Sequence, residues 1–266
     1  MKKIFKGVVV IALLYVSTII GLYIFQEELI FLSEELPEAH QFEFNQPFEE
    51  ITLTTSDGAK LHAIHFTVED PVGIVLYFHG NAGTLEQWGT IASQFTTAKY
   101  DVLMMDYRGY GKSRGERTED LLYQDANRFY EQAKIWFPED EITVFGRSLG
   151  TTFATYVAAK NAPKALVLES PFYSLTSVVK TRYPMLPVNQ LLRFEFNTAA
   201  YLEEVRCEVT IIHGTEDEVV PFEQGKRLVA LLPQREVEFI EIKNGKHNNL
   251  NTYQEYTLAI KNLLTN

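Results

Sequence analysis

A Gly-x-Ser-x-Gly pentapeptide at residues 146–150 is the feature that most constrains how this chain can fold. It follows a short apolar run at 142–145 and precedes residues 151–159, which predict a helix. Between a strand and a helix, this pattern is typical of a sharp turn that carries a nucleophilic serine, here Ser148. Glycine is needed on either side because the turn leaves little room for side chains.

A serine hydroxyl is a weak nucleophile at neutral pH, so Ser148 needs a base, and the base needs an acid to orient it. On this type of turn the acid and then the base follow the serine along the chain. Asp217 lies in a loop after the strand predicted at 208–213, and His247 lies in a turn-rich loop after the strand predicted at 237–243. We therefore predict Ser148 as nucleophile, Asp217 as acid and His247 as base.

Other residues compete for these two roles. His79 and His213 each precede a glycine at a strand end, where a histidine is more often a buried hydrogen-bonding group than a base. The remaining histidines lie in an early β segment or in a polar connector. The alternative acids flank Asp217 or end a strand. The competing histidines are His40, His62, His65, His79 and His213, and the competing acids are Glu169, Glu216 and Glu218.

A hydrolytic serine also needs donors for the oxyanion that forms on the substrate. Residues 73–78 form a continuous apolar run, as expected of a strand buried on both faces. The run ends in residues 79–83 (HGNAG), whose glycines allow the backbone to turn close to a ligand. We predict that the backbone N–H groups of Asn81 and Leu149 form the oxyanion hole.

Motifs along nearly the whole chain resemble the α/β-hydrolase superfamily. More narrowly, the chain is similar to single-pass membrane-anchored α/β-hydrolase-domain proteins, a group that includes palmitoyl-protein thioesterase-type members. The resemblance implies the roles given above for Ser148, Asp217, His247, Asn81 and Leu149. The matching motifs are FQEELIF at 25–31, HGNAG at 79–83, DYRGYGKS at 106–113, GRSLG at 146–150, ESPF at 169–172, HGTED at 213–217 and GKHN at 245–248.

The order of predicted elements favours an α/β fold. A hairpin signal at 57–58 precedes three strand-to-helix alternations, with helices predicted near 84–97, 118–136 and 151–159 and a closing helix at 253–264. This order predicts the α/β-hydrolase fold, a mostly parallel sheet of about eight strands with helices on both faces. We assign residues 48–266 to this domain and residues 171–206 to a short cap inserted in it.

The cap segment is rich in aromatic and aliphatic side chains. Phe172, Tyr183 and Leu186 are candidates for lining a groove that binds the acyl group of a substrate. The alternative is that these side chains pack the cap onto the sheet, since aromatic residues are usually core residues.

The amino terminus predicts a membrane anchor. Residues 1–6 are basic, and residues 7–25 contain no charged side chain, close to the roughly 20 residues that cross a bilayer as a helix. A cleavable signal peptide is the alternative, but its apolar region is usually shorter, about 7–15 residues, and ends at a small-residue cleavage site. Lysines before the span and glutamates after it predict a cytoplasmic amino terminus, a connector at 26–47, and a domain on the extracytoplasmic side.

The amino-acid composition narrows the classes of partner and cofactor that the chain is expected to bind. The chain has 24 Lys and Arg against 35 Asp and Glu, a net charge of −11, which disfavours nucleic acid and anionic lipid surfaces as main partners. The single cysteine, Cys207, cannot form an internal disulfide. No Cys/His cluster or phosphate-binding glycine loop is visible in the sequence, so no metal or cofactor is predicted.

Together these features predict a membrane-anchored serine hydrolase that cleaves carboxylic ester or thioester bonds in small or lipid-like acyl substrates. Two alternatives are a catalytically silent hydrolase fold used as a binding or scaffold module, and a serine peptidase.

Overall fold

In the computed structural model, which describes residues 1–233 and 237–265, eight strands form one sheet. Their order across the sheet is β1-β2-β4-β3-β5-β6-β7-β8, with β1 and β2 antiparallel to their neighbours and all other pairs parallel. The predicted α/β-hydrolase fold, with an antiparallel start, is confirmed. The strands are β1 Phe48–Thr54, β2 Lys60–Phe66, β3 Gly73–Phe78, β4 Tyr100–Met105, β5 Ile142–Arg147, β6 Ala165–Glu169, β7 Glu208–Gly214 and β8 Val237–Ile242.

The helices cover both faces of this sheet. One face packs a hydrophobic core that includes Phe129 and Phe153, and the other packs a second core that includes Phe95 and Tyr256. The α-helices are α1 Lys2–Ile24, α2 Gln26–Phe31, α3 Leu85–Trp88, α4 Ser93–Thr96, α5 Glu119–Trp136, α6 Gly150–Lys160, α7 Leu175–Arg182, α8 Val188–Leu191, α9 Thr198–Leu202, α10 Glu223–Val229 and α11 Gln254–Thr265. Short 3₁₀ turns lie at Gly89–Ala92, Glu139–Glu141 and Leu250–Thr252.

The helix predicted near 84–97 is instead broken into α3, a 3₁₀ turn and α4. The break falls at Gly89, where a Cβ atom would lie 2.5 Å from Cζ of Phe44. Glycine allows this close packing of the aromatic ring, but it is also a poor helix former. Tertiary packing therefore sets the local structure here.

Helix α2 lies in the segment that the sequence assigned to the connector. Two of its side chains, Gln26 and Phe31, are buried against the domain. A helix of six residues is not stable alone, so these contacts explain why it forms.

Helix α1 contains residues 7–24 of the apolar segment predicted at 7–25, and Phe25 caps the helix. It is the one helix in the described residues that is long and apolar enough to cross a membrane, and it buries no side chain. The cap consists of α7, α8 and α9.

Candidate active site

Ser148 lies in the turn between β5 and α6, as the pentapeptide predicts. Its backbone has a φ of +49°, in the left-handed region that L-residues seldom adopt. A Cβ atom on Gly150 would lie 2.0 Å from the carbonyl oxygen of Phe78, and one on Gly146 would lie 2.5 Å from that of Gly150. Gly150 therefore lets the turn pack directly against the end of β3, and Gly146 lets β5 pack closely against α6.

The structure brings the serine, histidine and aspartate together. His247 Nε2 lies 3.0 Å from Ser148 Oγ, and His247 Nδ1 lies 2.7 Å from Asp217 Oδ2. All three residues are buried. The parallel strands explain the meeting, because β5, β7 and β8 end at the same edge of the sheet.

Asp217 is held as a carboxylate by several donors. Burial alone would raise the pKa of its carboxyl, but hydrogen bonds from His213 and His247 outweigh burial and lower the pKa well below its usual range. Its Oδ1 atom also accepts the N–H groups of Val219 at 2.9 Å and Val220 at 2.8 Å. A carboxylate fixed in this way can orient the imidazole and stabilise a positive charge on it.

The loop that contains Asn81 passes directly over the serine. A Cβ atom on Gly80 would lie 3.2 Å from Cβ of Ser148, so the backbone just before Asn81 is in close contact with Ser148. The Asn81 side chain points away from the reaction, and its amide donates to the carbonyl of Ile30 in α2. Leu149 caps the amino terminus of α6, an 11-residue helix. A helix amino terminus favours negative charge, which suits a developing oxyanion.

Arg147 connects the serine turn to the histidine loop. Its Nη2 donates to the His247 carbonyl and to Asn248 Oδ1, each at 3.1 Å. Its Nε lies 3.1 Å from Glu169 Oε1, and Tyr256 donates to the other oxygen of that carboxylate at 2.9 Å. Burial opposes the charge of Arg147, but Glu169 together with Tyr77, Tyr256 and Asp217 outweighs burial and raises the pKa of the guanidinium.

Known proteins share this sequence and architecture. The family described as "Serine aminopeptidase, S33" matches residues 69–199. An uncharacterised protein of Mycobacterium tuberculosis is 30% identical over 245 residues, which cover 91% of this chain and 87% of that protein. The alpha/beta hydrolase domain-containing protein WAV2 of Arabidopsis thaliana is 29% identical over 84% of this chain and 81% of its own length.

Two further similarities are to a lipase and to a solved esterase structure. The lysophosphatidylserine lipase ABHD12 of Danio rerio is 30% identical over 60% of this chain and 47% of its own length. The solved structure of the Pyrococcus furiosus esterase Pf2001 superposes with a TM-score of 0.70 at 18% identity, covering 88% of this chain and 97% of the esterase. That structure shows the shared fold.

The chain belongs to the α/β-hydrolase superfamily. The superfamily and the lipase among the relatives support a hydrolytic activity for this protein.

The competing acids of this α/β hydrolase are engaged elsewhere or face water. Glu216 and Glu218 are exposed, and Glu169 is paired with Arg147 and Tyr256. Of the three, none contacts His247 in the hydrogen bonds that the described residues form.

The competing histidines likewise have partners away from Ser148. His62 contacts Glu50 at 2.8 Å, and His65 contacts Asp101 at 2.9 Å. His79 Nδ1 lies 2.8 Å from the Gly80 carbonyl, and His213 Nε2 lies 3.0 Å from the Val220 carbonyl. His40 lies 3.6 Å from Glu86.

The three cap residues predicted to bind an acyl group lie in different surroundings. Phe172 is buried in the core beside the sheet, Leu186 is half-buried, and Tyr183 has 54% of its surface exposed. Phe172 therefore packs the cap onto the sheet, whereas Tyr183 is exposed at the surface.

Residues of α2 and its neighbours were not predicted to be near the site. Gln26 contacts the cap, with its amide donating to the Leu191 carbonyl at 3.2 Å and accepting the Arg193 N–H at 2.7 Å. Tyr110 contacts both Asn81 and the Phe31 carbonyl through its hydroxyl. The FQEELIF motif at 25–31, directly after the apolar span, was the signal in the sequence.

Within residues 1–233 and 237–265, no group of three or more His, Cys, Asp or Glu side chains is placed to hold a metal ion.

Proposed function

We propose that this chain is a membrane-anchored serine hydrolase that cleaves carboxylic ester or thioester bonds. The observation that carries the proposal is the continuous contact from Asp217 through His247 to Ser148, at 2.7 and 3.0 Å. A pure binding module has no physical need for this arrangement beside a loop of candidate oxyanion donors.

The reaction would proceed through an acyl-enzyme. Ser148 Oγ attacks the acyl carbon while His247 Nε2 takes its proton, and the Asp217 carboxylate stabilises the imidazolium. The N–H groups of Asn81 and Leu149 stabilise the oxyanion. His247 then protonates the leaving alcohol or thiol, and a water molecule that gives its proton to His247 hydrolyses the acyl-enzyme.

The relatives support ester cleavage, since one is described as a lipase and a structural neighbour as an esterase. The description "Serine aminopeptidase" favours peptide cleavage as a second candidate. Comparing short p-nitrophenyl esters with aminoacyl p-nitroanilides separates the two, and we expect turnover of the esters.

The nucleophile is tested with a fluorophosphonate probe on the full-length protein in detergent, with the adduct located by peptide mass spectrometry. We expect labelling at Ser148 that is lost in Ser148→Ala and strongly reduced in His247→Ala. Ser93→Ala is the matched control because Ser93 is an exposed serine on α4. Ester turnover that persists in a folded Ser148→Ala variant would falsify the mechanism.

We also propose that α1 is the anchor and that the hydrolase domain lies on the extracytoplasmic side. The support is its length, its apolar composition and the three lysines at its amino-terminal end, Lys2, Lys3 and Lys6. The protein should stay with the membrane after alkaline carbonate washing, and protease added outside intact spheroplasts should digest the domain. Release into the soluble fraction would contradict the anchor.

A further inference from the structure

Residues 183–187, which we term the cap turn, join α7 to α8 and lie against α1. The Tyr15 hydroxyl of α1 donates to the carbonyl of Met185 at 3.1 Å. The side chains of the cap turn nevertheless face outward, since Met185 is 84% and Tyr183 is 54% exposed. Two large apolar side chains thus project into the surroundings beside the proposed anchor.

The position of Tyr15 along α1 defines how deep the cap turn lies in a bilayer that α1 spans. Tyr15 lies ten residues before Phe25, which caps α1, a distance of about 15 Å along a helix axis. The hydrocarbon core of a bilayer is about 30 Å thick. If α1 spans the membrane, the cap turn therefore lies within the leaflet on the domain's side, at a depth that decreases as the helix tilts.

Two of the three backbone N–H groups of the cap turn donate within the protein, which suits an apolar environment, whereas that of Met185 forms no hydrogen bond among the described residues. Irregular backbone inside a membrane must satisfy its polar groups internally. The N–H of Tyr183 donates to the Val179 carbonyl at 2.8 Å, and the N–H of Leu186 donates to the Tyr183 carbonyl at 3.1 Å. The Met185 carbonyl accepts from Tyr15, and the two prolines of the turn have no N–H to satisfy.

The charge around the cap turn differs from that of the rest of the chain. Residues 170–194 contain the basic residues Lys180, Arg182 and Arg193 and no Asp or Glu, although the chain as a whole carries −11. All three basic residues are exposed, and Arg193 Nη2 also lies 3.0 Å from Glu27 Oε1. Basic side chains next to exposed apolar ones match the phosphates and acyl chains of a phospholipid surface.

The cap turn is also connected to the proposed active site. Arg182, the last residue of α7, donates to the carbonyl of Glu218, which follows Asp217 directly. Residues 182–187 therefore contact the loop that contains Asp217 at one end and helix α1 at the other. This contact places the edge of the active site next to the membrane.

We propose that the cap turn inserts into the bilayer beside α1, so that the active site takes acyl substrates that reside in the membrane. The choice of substrate rests on the proposed hydrolase function, whereas the membrane contact does not. Tyr183 and Met185 enter the acyl-chain region, and the three basic residues contact lipid phosphates.

The membrane contact is tested by tryptophan quenching in the full-length protein, reconstituted in phosphatidylcholine–phosphatidylglycerol vesicles with brominated acyl chains. Met185→Trp is compared with Ile135→Trp, a matched control because Ile135 is 72% exposed at the carboxyl end of α5. After subtraction of the native signal from Trp88 and Trp136, we expect at least threefold stronger quenching of the new tryptophan in Met185→Trp. Equal quenching of the two variants, or none in either, overturns the proposal.

The substrate is tested by comparing a long-chain ester embedded in vesicles with a short water-soluble p-nitrophenyl ester. In Met185→Asp, the ratio of kcat/KM for the embedded ester to that for the soluble ester should fall about tenfold, whereas Ile135→Asp should leave the ratio unchanged. An unchanged ratio in Met185→Asp overturns the substrate assignment. If no ester is cleaved and Ser148 is not labelled, the hydrolase function has failed, and quenching still decides the membrane contact.

Discussion

The side-chain amide of Asn81 donates a hydrogen bond to the main-chain carbonyl of Ile30. This bond joins the loop over the nucleophile to α2, the helix that follows the apolar segment. The Tyr110 hydroxyl contacts the same amide and the carbonyl of Phe31, so Tyr110 is a second link between this loop and α2. The helix next to the proposed anchor thus positions a loop of the proposed active site.

Replacing Asn81 with aspartate should lower kcat about 10- to 100-fold, because a carboxylate oxygen cannot donate to the Ile30 carbonyl and the loop then shifts relative to Ser148. We expect a smaller change in KM for a short ester. Steady-state kinetics of the full-length protein measure both constants. Asn248→Asp is the control, since its side chain can still accept from Arg147. Equal kcat values for Asn81→Asp and the wild type would show that the contact does not position the loop.

Replacing Arg147 with methionine should lower kcat about tenfold or more. The substitution removes the donor to the His247 carbonyl and the ion pair with Glu169, so the histidine loop is held less firmly. Fluorophosphonate labelling of Ser148 should slow by a similar factor, which distinguishes misplacement of His247 from loss of a substrate contact. Arg128→Met is the control because Arg128 is exposed on α5. Slow ester turnover with normal labelling would mean that Arg147 acts on the substrate.

Replacing Arg108 with methionine should destabilise the fold by about 3–5 kcal/mol, because it leaves the buried Asp125 carboxylate without its partner. Arg108 contacts both oxygens of Asp125, at 2.6 and 3.0 Å, and both residues are 1% exposed. For a domain of this size the loss corresponds to about 6–20 °C in Tm. Thermal unfolding should also show that Arg108→Met combined with Asp125→Leu is more stable than Arg108→Met alone. A double variant less stable than the single one would contradict this account.

The stability contributed by Asp217 should depend on pH. The pKa of its carboxyl is lower in the folded protein than the ordinary value of about 3.9, so the ionised form stabilises the fold above that value. This contribution begins to be lost as the pH falls below about 5, and the loss continues as the pH approaches the lowered pKa. The difference in Tm between the wild type and Asp217→Asn should therefore be largest above pH 5 and shrink toward pH 3. Glu216→Gln, at an exposed neighbour, should show no such trend, and a difference independent of pH would contradict the prediction.

Local patterns were sufficient where the chain itself imposes the structure. The strand at Gly73–Phe78 matches the predicted range, because an apolar run bounded by turn residues has few other ways to be buried. Local patterns were insufficient where distant residues decide. Gly89 breaks a predicted helix because of Phe44, and α2 forms because Gln26 and Phe31 are buried by residues far along the chain.

The sequence by itself determined the α/β fold and selected Ser148, Asp217 and His247 as candidates, since strand periodicity, glycine sterics and chain order are local properties. Only the tertiary structure decided which partners meet: Arg147 with the His247 carbonyl, Asn81 with Ile30, and the cap turn with Tyr15. Each of these contacts joins residues separated by 50 or more positions in the chain. Distances of that kind depend on how the sheet, the cap and α2 pack together, and no local pattern encodes them.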